Sequence, residues 1–518
     1  MAKAAAQKKT ARRAAQSAAA PADQADNPAL TCRGYDDQYH DWQLVNDVVK
    51  GTRHLHLATI KYLPQEPRET NSDYQVRLKK SVFWNAYKRT IQGLTGMVFR
   101  RDPHLSGDVP QPIKAQWENL DLEGTHGDVF AREVFKTGLN DGHCFIYIDM
   151  PVSVLIDNPG ATKADEAGRR PYWMLINKGS VINWRSTTTA DGQLVLTQAT
   201  IIENMVEPFG EFGEVLITQY RVLTPGAFKV YRQNQQDKTW SVVDSGPTSL
   251  KFIPLIPVYT NRTAFLQSQP PLLDLALLNL RHYRLQSDLD NILHKCSVPL
   301  LVAKNRRTAV IEGDTASSEQ VISPNTLIDV DKDGDLKYVE PSGHGIELAQ
   351  AEIKQTEAQM ATLGLLLLRG APQVQKTATQ SALDYEAESS QLAAMARGLI
   401  DAIEQGLAVH AAYLGLKSSG STKPGGSVEM NTNFSQTTLD PQTFNSLMNM
   451  VLTRNLSIDT LWDLMQQSEM LPADFDPTNE RKLIAAANAN KATAEPTIPP
   501  DSLPPTRSII KPNDPTVV

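Results

Sequence analysis

The segment Asp329-Val-Asp331-Lys-Asp333-Gly334, with Glu340 downstream, carries the residue types of a calcium loop at the required spacing. Hard carboxylate oxygens would surround the ion, and Gly334 would permit the sharp turn. The flanks point elsewhere. Pro324-Asn325 stands where an entering helix belongs, and Pro341 stands where an exiting helix should continue. Thr326–Asp331 and Leu336–Val339 pattern instead as two strands joined by a Lys-Asp-Gly-Asp turn. An acidic hairpin without metal is therefore the favoured reading. A calcium-binding intracellular scaffold using the Asp329–Glu340 loop is the alternative.

The histidines offer less. His54 and His56 form a His-Leu-His step, yet no H-E-x-x-H and no Cys/His pairing surrounds them. His40, His282 and His410 fall singly within helical patterns, as hydrogen-bonded or solvated histidines do. There is no G-x-S-x-G elbow, no phosphate loop and no dinucleotide fingerprint. No catalytic residue, metal ligand or cofactor is assigned, and the chain is expected not to be an enzyme. Basic residues cluster in two places: Lys304, Arg306 and Arg307, and a loop where Arg369 and Lys376 bracket Gln373 and Gln375. Singly these are ordinary solvated charges. Repeated around a symmetric channel, each becomes a ring that steers a phosphate backbone without gripping it.

Composition narrows the options. A chain of 518 residues with 41% hydrophobic content can hold several cores. A net charge of −7 argues against general nucleic-acid binding, which needs a basic excess. Three scattered cysteines argue against a disulfide framework. No window approaches the roughly 20 apolar residues of a membrane span. Residues 1–34 are expected to form a disordered basic tail. The first 28 also have the composition of a transit peptide, which would fit an organellar enzyme. Residues 491–518 are expected to form a disordered Pro-rich tail.

The elements that must position these residues follow from periodicity. Helices are predicted over Asp36–Lys50, Ser72–Phe99 and Thr125–Asp141, the last capped by Gly142. The strand His143–Asp149 comes next. Further strands cover Tyr172–Ile176, Val181–Trp184, Leu194–Val206, Val215–Leu223, Phe228–Arg232 and Phe252–Tyr259. Residues 35–269 thus form an α+β region. A helix over Leu272–His294 carries a narrow apolar stripe that includes Leu278, Leu285 and Leu289. A second, over Ile346–Leu367, repeats it through Ile353 and Met360. Narrow stripes suit helices gripped by similar helices. Between them lies a β-excursion at 296–341. Thr379–Leu414 is one long helix stopped by Gly415. A strand at Ser427–Phe434 and helices at Pro441–Arg454, Ser457–Ser468 and Pro477–Asn490 complete the chain.

This order resembles the portal proteins of tailed bacteriophages. The likeness rests on Tyr62-Leu-Pro, Phe83-Trp-Asn, Thr90 to Phe99, Asp128-Val-Phe through Asp141-Gly-His, Asn279 to Asp290, and Thr377 to Glu386, within residues 36–485. The resemblance implies an α+β fold with a wing at 35–269, stem helices at 270–295 and 342–367, and a clip at 296–341. It further implies a channel loop at 368–378, a wing-spanning helix and linker at 379–426, and a helical crown at 427–490. Arg369, Gln373, Gln375 and Lys376 would face a DNA channel, while Lys304, Arg306 and Arg307 would lie where a packaging motor docks. Leu278, Leu285, Leu289, Ile353 and Met360 would form the stem's oligomer interface. The implied function is a homo-oligomeric ring, expected at twelve subunits, at one capsid vertex. Double-stranded DNA would pass through it. Its implied partners are the terminase packaging ATPase, the major capsid and scaffolding proteins, and head–tail adaptor proteins. Its place would be the virion, after assembly in host cytoplasm without a membrane.

Overall fold

The computed structural model describes residues 26–151, 168–234, 236–296, 300–306, 330–339, 344–365, 378–416, 424–432, 434, 441–467, 470–471 and 475–494. They divide into two units, Met1–Phe434 and Ser435–Val518.

The first unit opens with α1 (Arg33–Lys50) and α2 (Thr52–Ala58). Gly51 separates them at a φ of +81°, which side-chain-bearing residues rarely adopt. The single helix expected over Ser72–Phe99 is in fact two, α3 (Asn71–Lys80) and α4 (Ala86–Val98). The interruption has a local cause. Asn85 Oδ1 accepts the Lys88 amide at 2.8 Å, capping α4, while its Nδ2 donates to the Val48 carbonyl at 2.9 Å. An asparagine that serves both a helix start and a neighbouring helix end outweighs continued periodicity.

After β1 (His104–Leu105) and the short α5 (Gln111–Gln116), α6 (Gly127–Asp141) ends on left-handed Gly142. The strand β2 (His143–Asp149) then runs at the centre of a three-stranded antiparallel sheet. Its neighbours are β3 (Tyr172–Ile176) and a later strand, Leu255–Tyr259. Between those two lies an antiparallel meander of β4 (Val181–Thr188), β5 (Leu194–Phe209), β6 (Gly213–Thr224), β7 (Ala227–Gln233) and β8 (Trp240–Pro247). The edge strand β8 was not predicted. Its Asp-Ser-Gly-Pro end is poor in β-formers, and it is held by pairing with β7. The returning strand is β9 (Leu255–Tyr259), followed by the small pair β10 (Arg262–Ala264) and β11 (Gln267–Ser268).

Helix α7 (Leu273–Cys296) leads to β12 (Leu300–Arg306), which pairs antiparallel with β13 (Val330–Val339). The acidic hairpin expected within 326–339 is not what forms. Lys332–Asp335 lies inside one strand, and the register shifts between Lys304 and Arg306, so the acidic run bulges rather than turns. Asp329 and Glu340, the ends of the calcium alternative, lie outside the described residues. A strand at 330–339 does not wrap an ion as a helix-flanked loop does. Helix α8 (His344–Met360) gives way to a π-helical turn at Ala361–Leu365, inside the region expected to stay α-helical to Leu367. Helix α9 (Ala378–Tyr413) extends about 54 Å at the usual rise. It stops before Gly415, at a φ of +64°. Instead of a strand over Ser427–Phe434, only β14 (Val428–Glu429) forms. It pairs with β1 and belongs to the first unit.

The main core joins α4, α6, β2, α7 and α9. Trp173 on β3 is fully buried at its centre, edge-on to Phe130 at 6.0 Å and Trp117 at 6.4 Å. A smaller core closes the meander against β2 around Phe145, Tyr147, Ile201 and Leu255.

The second unit comprises α10 (Pro441–Leu452), α11 (Ile458–Gln467) and α12 (Pro477–Ala494). Ser457 Oγ caps α11 by accepting the Thr460 amide at 3.1 Å. Trp462 packs edge-on to Phe475 at 5.6 Å, and Arg481 pairs with Asp459.

Candidate functional site

The helices α7 and α8 form an antiparallel pair. Leu275 lies against Gly364 and His282 against Glu357, so the partner number falls as the first rises. The approach at Gly364 is close: a Cβ there would stand 2.6 Å from Leu275 Cδ2. Arg281 reaches Glu352 at 2.8 Å, and His282 Nε2 lies 3.3 Å from Glu357. The Arg281–Glu352 pair is half exposed and contributes register more than stability.

One side of α7 is bolted to the preceding helices. Fully buried Asn279 accepts the Tyr87 amide at 3.0 Å and donates to the Trp84 carbonyl at 2.9 Å. Ser287 Oγ meets Ser81 Oγ at 2.7 Å, and Arg284 donates to the Tyr62 carbonyl at 2.9 Å. Buried Arg77 pairs with Glu69 through two 2.8 Å contacts and lies 3.6 Å from Asp288. The Glu69 carboxylate raises the Arg77 pKa; burial, with Glu66 nearby, raises that of Asp288. Asn279, Ser287 and Arg77 received no role from the sequence. Their polarity among apolar neighbours was the available signal.

The residues predicted for the oligomer interface divide. Met360 is fully buried inside the protomer, and Leu289 and Ile353 are each 6% exposed, so the chain itself covers them. Leu278 and Leu285 are half-buried. The apolar residues that α7 and α8 leave exposed are Leu277, Ile292, Leu293 and Leu348, joined by Leu363 of the π turn. Lys304 and Arg306 lie on β12, at the register shift with β13. Arg307, Arg369, Gln373, Gln375 and Lys376 lie outside the described residues.

A second polar cluster sits in the α+β region. Ser268 Oγ lies 2.6 Å from His143 Nδ1 and accepts from Lys178 Nζ at 3.2 Å. Lys178 also donates to the carbonyls of Asp141 (3.2 Å) and Ser268 (3.0 Å). Asn46 and Asn140 donate to Asp141 Oδ1 at 2.8 and 2.7 Å. Burial pushes Asp141 up to about 6, draws Lys178 down to about 8 and holds His143 well below the usual imidazole range. Serine, histidine and lysine are nucleophile-and-base types, yet all three side chains are buried and face other protein groups. The cluster ties the end of α6 to β11 and to the turn before β4.

Three further histidines are hydrogen-bonded, while His40 is exposed. His54 meets Asp47 at 2.8 Å and His56 the Ser81 carbonyl at 2.8 Å. His410 accepts from Trp173 Nε1 at 3.0 Å through Nδ1 and donates from Nε2 to Gln116 at 2.7 Å. Cys32 and Cys144 are free thiols. Among the described residues no His, Cys, Asp and Glu group could hold a metal, and no helix is long and apolar enough to cross a membrane.

Residues 271–414, from α7 through α9, match a family described as a domain of unknown function, DUF4055. The chain is also similar to a chain from the virion of a native gene transfer agent particle. Identity there is 10% and the TM-score 0.34, over 77% of this chain and 88% of that one. A chain from the neck of an empty gene transfer agent particle is similar at 11% identity and a TM-score of 0.35, over 83% and 97%. Scores this low assign neither fold nor function. No curated protein matches.

Proposed function

We propose that this chain is a structural component of a phage-like head–tail assembly, mechanical rather than catalytic in its role. Within that class we propose the portal subunit: a homo-oligomeric ring at a capsid vertex through which double-stranded DNA is packaged and ejected. The observation that carries the reading is the antiparallel α7–α8 pair. At one end it is rooted in an α+β body through Asn279, Ser287 and Arg284. At the other its two helices are joined through the β12–β13 pair, and α9 then runs back along the core. A stiff hairpin with a small β-tip suits a subunit that lines a channel and offers its tip to a packaging ATPase. The α+β body would meet capsid and scaffolding proteins. The acidic net charge suits a bore through which DNA slides, since a phosphate-gripping surface would stall it.

The test is the native mass of the purified protein with negative-stain images of the same sample. Closed rings of about twelve subunits around a hole are expected. A chain that stays monomeric across a wide concentration range, and also when its capsid partners are supplied, overturns the reading.

A further inference from the structure

The strands β5 and β6 outrun their sheet. Strand β4 pairs with β5 only as far as Ile201, and β7 pairs with β6 only from Gln219 onward. Residues 204–218 therefore form a two-stranded ribbon that pairs only with itself, about 20 Å long at the usual rise per residue. Its tip turns through Gly210 at a φ of +69°, and Gly213 sits so close to the Phe209 carbonyl that a side chain would overlap it. Pairing puts Met205, Ile217, Val215 and Phe209 on one face and Val206 and Leu216 on the other. Phe212 at the tip is 91% exposed, Phe209 72% and Leu216 65%. A ribbon apolar on both faces with two open edges invites association unless something covers it. Its charge is also one-sided: residues 204–218 contain Glu207, Glu211 and Glu214 and no basic residue, and because Glu207 is paired with Arg232 of β7 at 2.8 Å, the acidic charge offered outward is that of Glu211 and Glu214 at the tip.

The same protomer displays the complement elsewhere. Leu57, Ile60, Val82 and Trp84 are exposed on two adjoining segments, α2 with the turn after it and the break between α3 and α4. Those segments are joined by the His56–Ser81 and Thr52–Phe83 hydrogen bonds. The charge around this patch is opposite. Residues 76–89 include exposed Lys79, Lys80, Lys88 and Arg89 and no acid. Ribbon and patch are both uncovered in one protomer, so neither fills the other within the chain. We infer that the ribbon of one copy docks on the α2–α4 patch of the next, an acidic apolar arm on a basic apolar surface. Two different patches on one chain make a head-to-tail contact, the kind that closes into rings. The inference rests on the ring-forming reading above and names the surfaces that would join the subunits.

The test uses full-length protein and four variants: E211K/E214K, K79E/K80E, their combination, and Phe212→Ala. All five positions are exposed, so folding should survive, with far-UV circular dichroism as the check. Assembly is followed against concentration by sedimentation velocity. Each charge-reversed pair should weaken association about tenfold, and the combination should restore it. Phe212→Ala should weaken it about thirtyfold, as loss of an aromatic anchor does. Rings that form unchanged in every variant overturn the arm contact and leave the portal reading standing. So does weakening by both charge reversals without rescue. A wild-type chain that never assembles, even with its capsid partners supplied, overturns both.

Discussion

At the residue scale, buried polar side chains bind elements that are distant in sequence. Asn279 satisfies a helix-start amide and a loop carbonyl at once. Asn279→Ala should cost about 1–3 kcal/mol, because the buried Tyr87 amide loses its acceptor while no water replaces it. Urea unfolding checks this, with the midpoint falling and the slope unchanged. His410 makes a pH prediction. Burial, then the Arg170 charge, lowers its folded pKa to about 4, from an ordinary value near 6.5. Below that ordinary value the unfolded chain binds a proton that the folded chain refuses. Stability from neutral His410 is therefore complete above about 6.5 and lost as pH falls toward 4. The loss should be on the order of 2 kcal/mol, and His410→Gln should remove that part of the acid dependence. Urea midpoints at pH 7 and pH 4.5 decide it, and equal slopes against pH in both proteins would count against it.

At the element scale, the long α9 depends on small residues where it crosses the core. Gly406 faces Trp173, and a Cβ there would overlap the indole. Two effects compete in Gly406→Ala. Helix propensity alone would stabilise by about 1 kcal/mol. Overpacking a fully buried tryptophan, fixed by its bond to His410, costs about 1–3 kcal/mol. The clash should win, so thermal unfolding is expected at a lower temperature than in wild type. A rise would mean that the Trp173 site yields easily. The same logic explains the break between α3 and α4, where Asn85 and Ser81 exchange helical continuity for contacts with α1 and α7.

At the scale of the whole molecule, the division between inward and outward apolar residues separates what a substitution does to folding from what it does to the proposed assembly. Met360 and Leu289 lie inside the protomer, whereas Leu348 of α8 is 59% exposed. Leu348→Asp should leave the protomer folded, with an unchanged circular dichroism spectrum, yet reduce ring formation where that face meets a neighbour. Met360→Asp should instead abolish folding, because it buries a charge without a partner. Gel filtration beside circular dichroism separates the two. Full rings from Leu348→Asp would place the subunit contact away from the exposed face of α8.

Much of this architecture was legible in the chain because its signals are local. Runs of β-branched and aromatic residues marked β2 and β3 residue for residue, and three- and four-residue steps marked α7 and α9 nearly to their ends. Gly142 and Gly415 announced helix ends because left-handed backbone is costly for other residues. What a stripe packs against is not a local property. Leu289, Ile353 and Met360 have the spacing of contacts for another subunit, and only the folded chain reveals that they are buried within the protomer. The strands β8 and β13 depend on partners far along the chain, so the Lys332–Asp335 run forms a bulge within β13, paired to β12 on both sides of it, rather than a hairpin turn. The projecting ribbon was equally invisible, since β5 and β6 pattern alike within the sheet and beyond it. Sequence determined where the chain bends and which faces are apolar, through short-range backbone and side-chain preferences. Tertiary structure decided which of those faces the chain covers itself and which it leaves for another molecule, because burial depends on what the rest of the chain brings alongside.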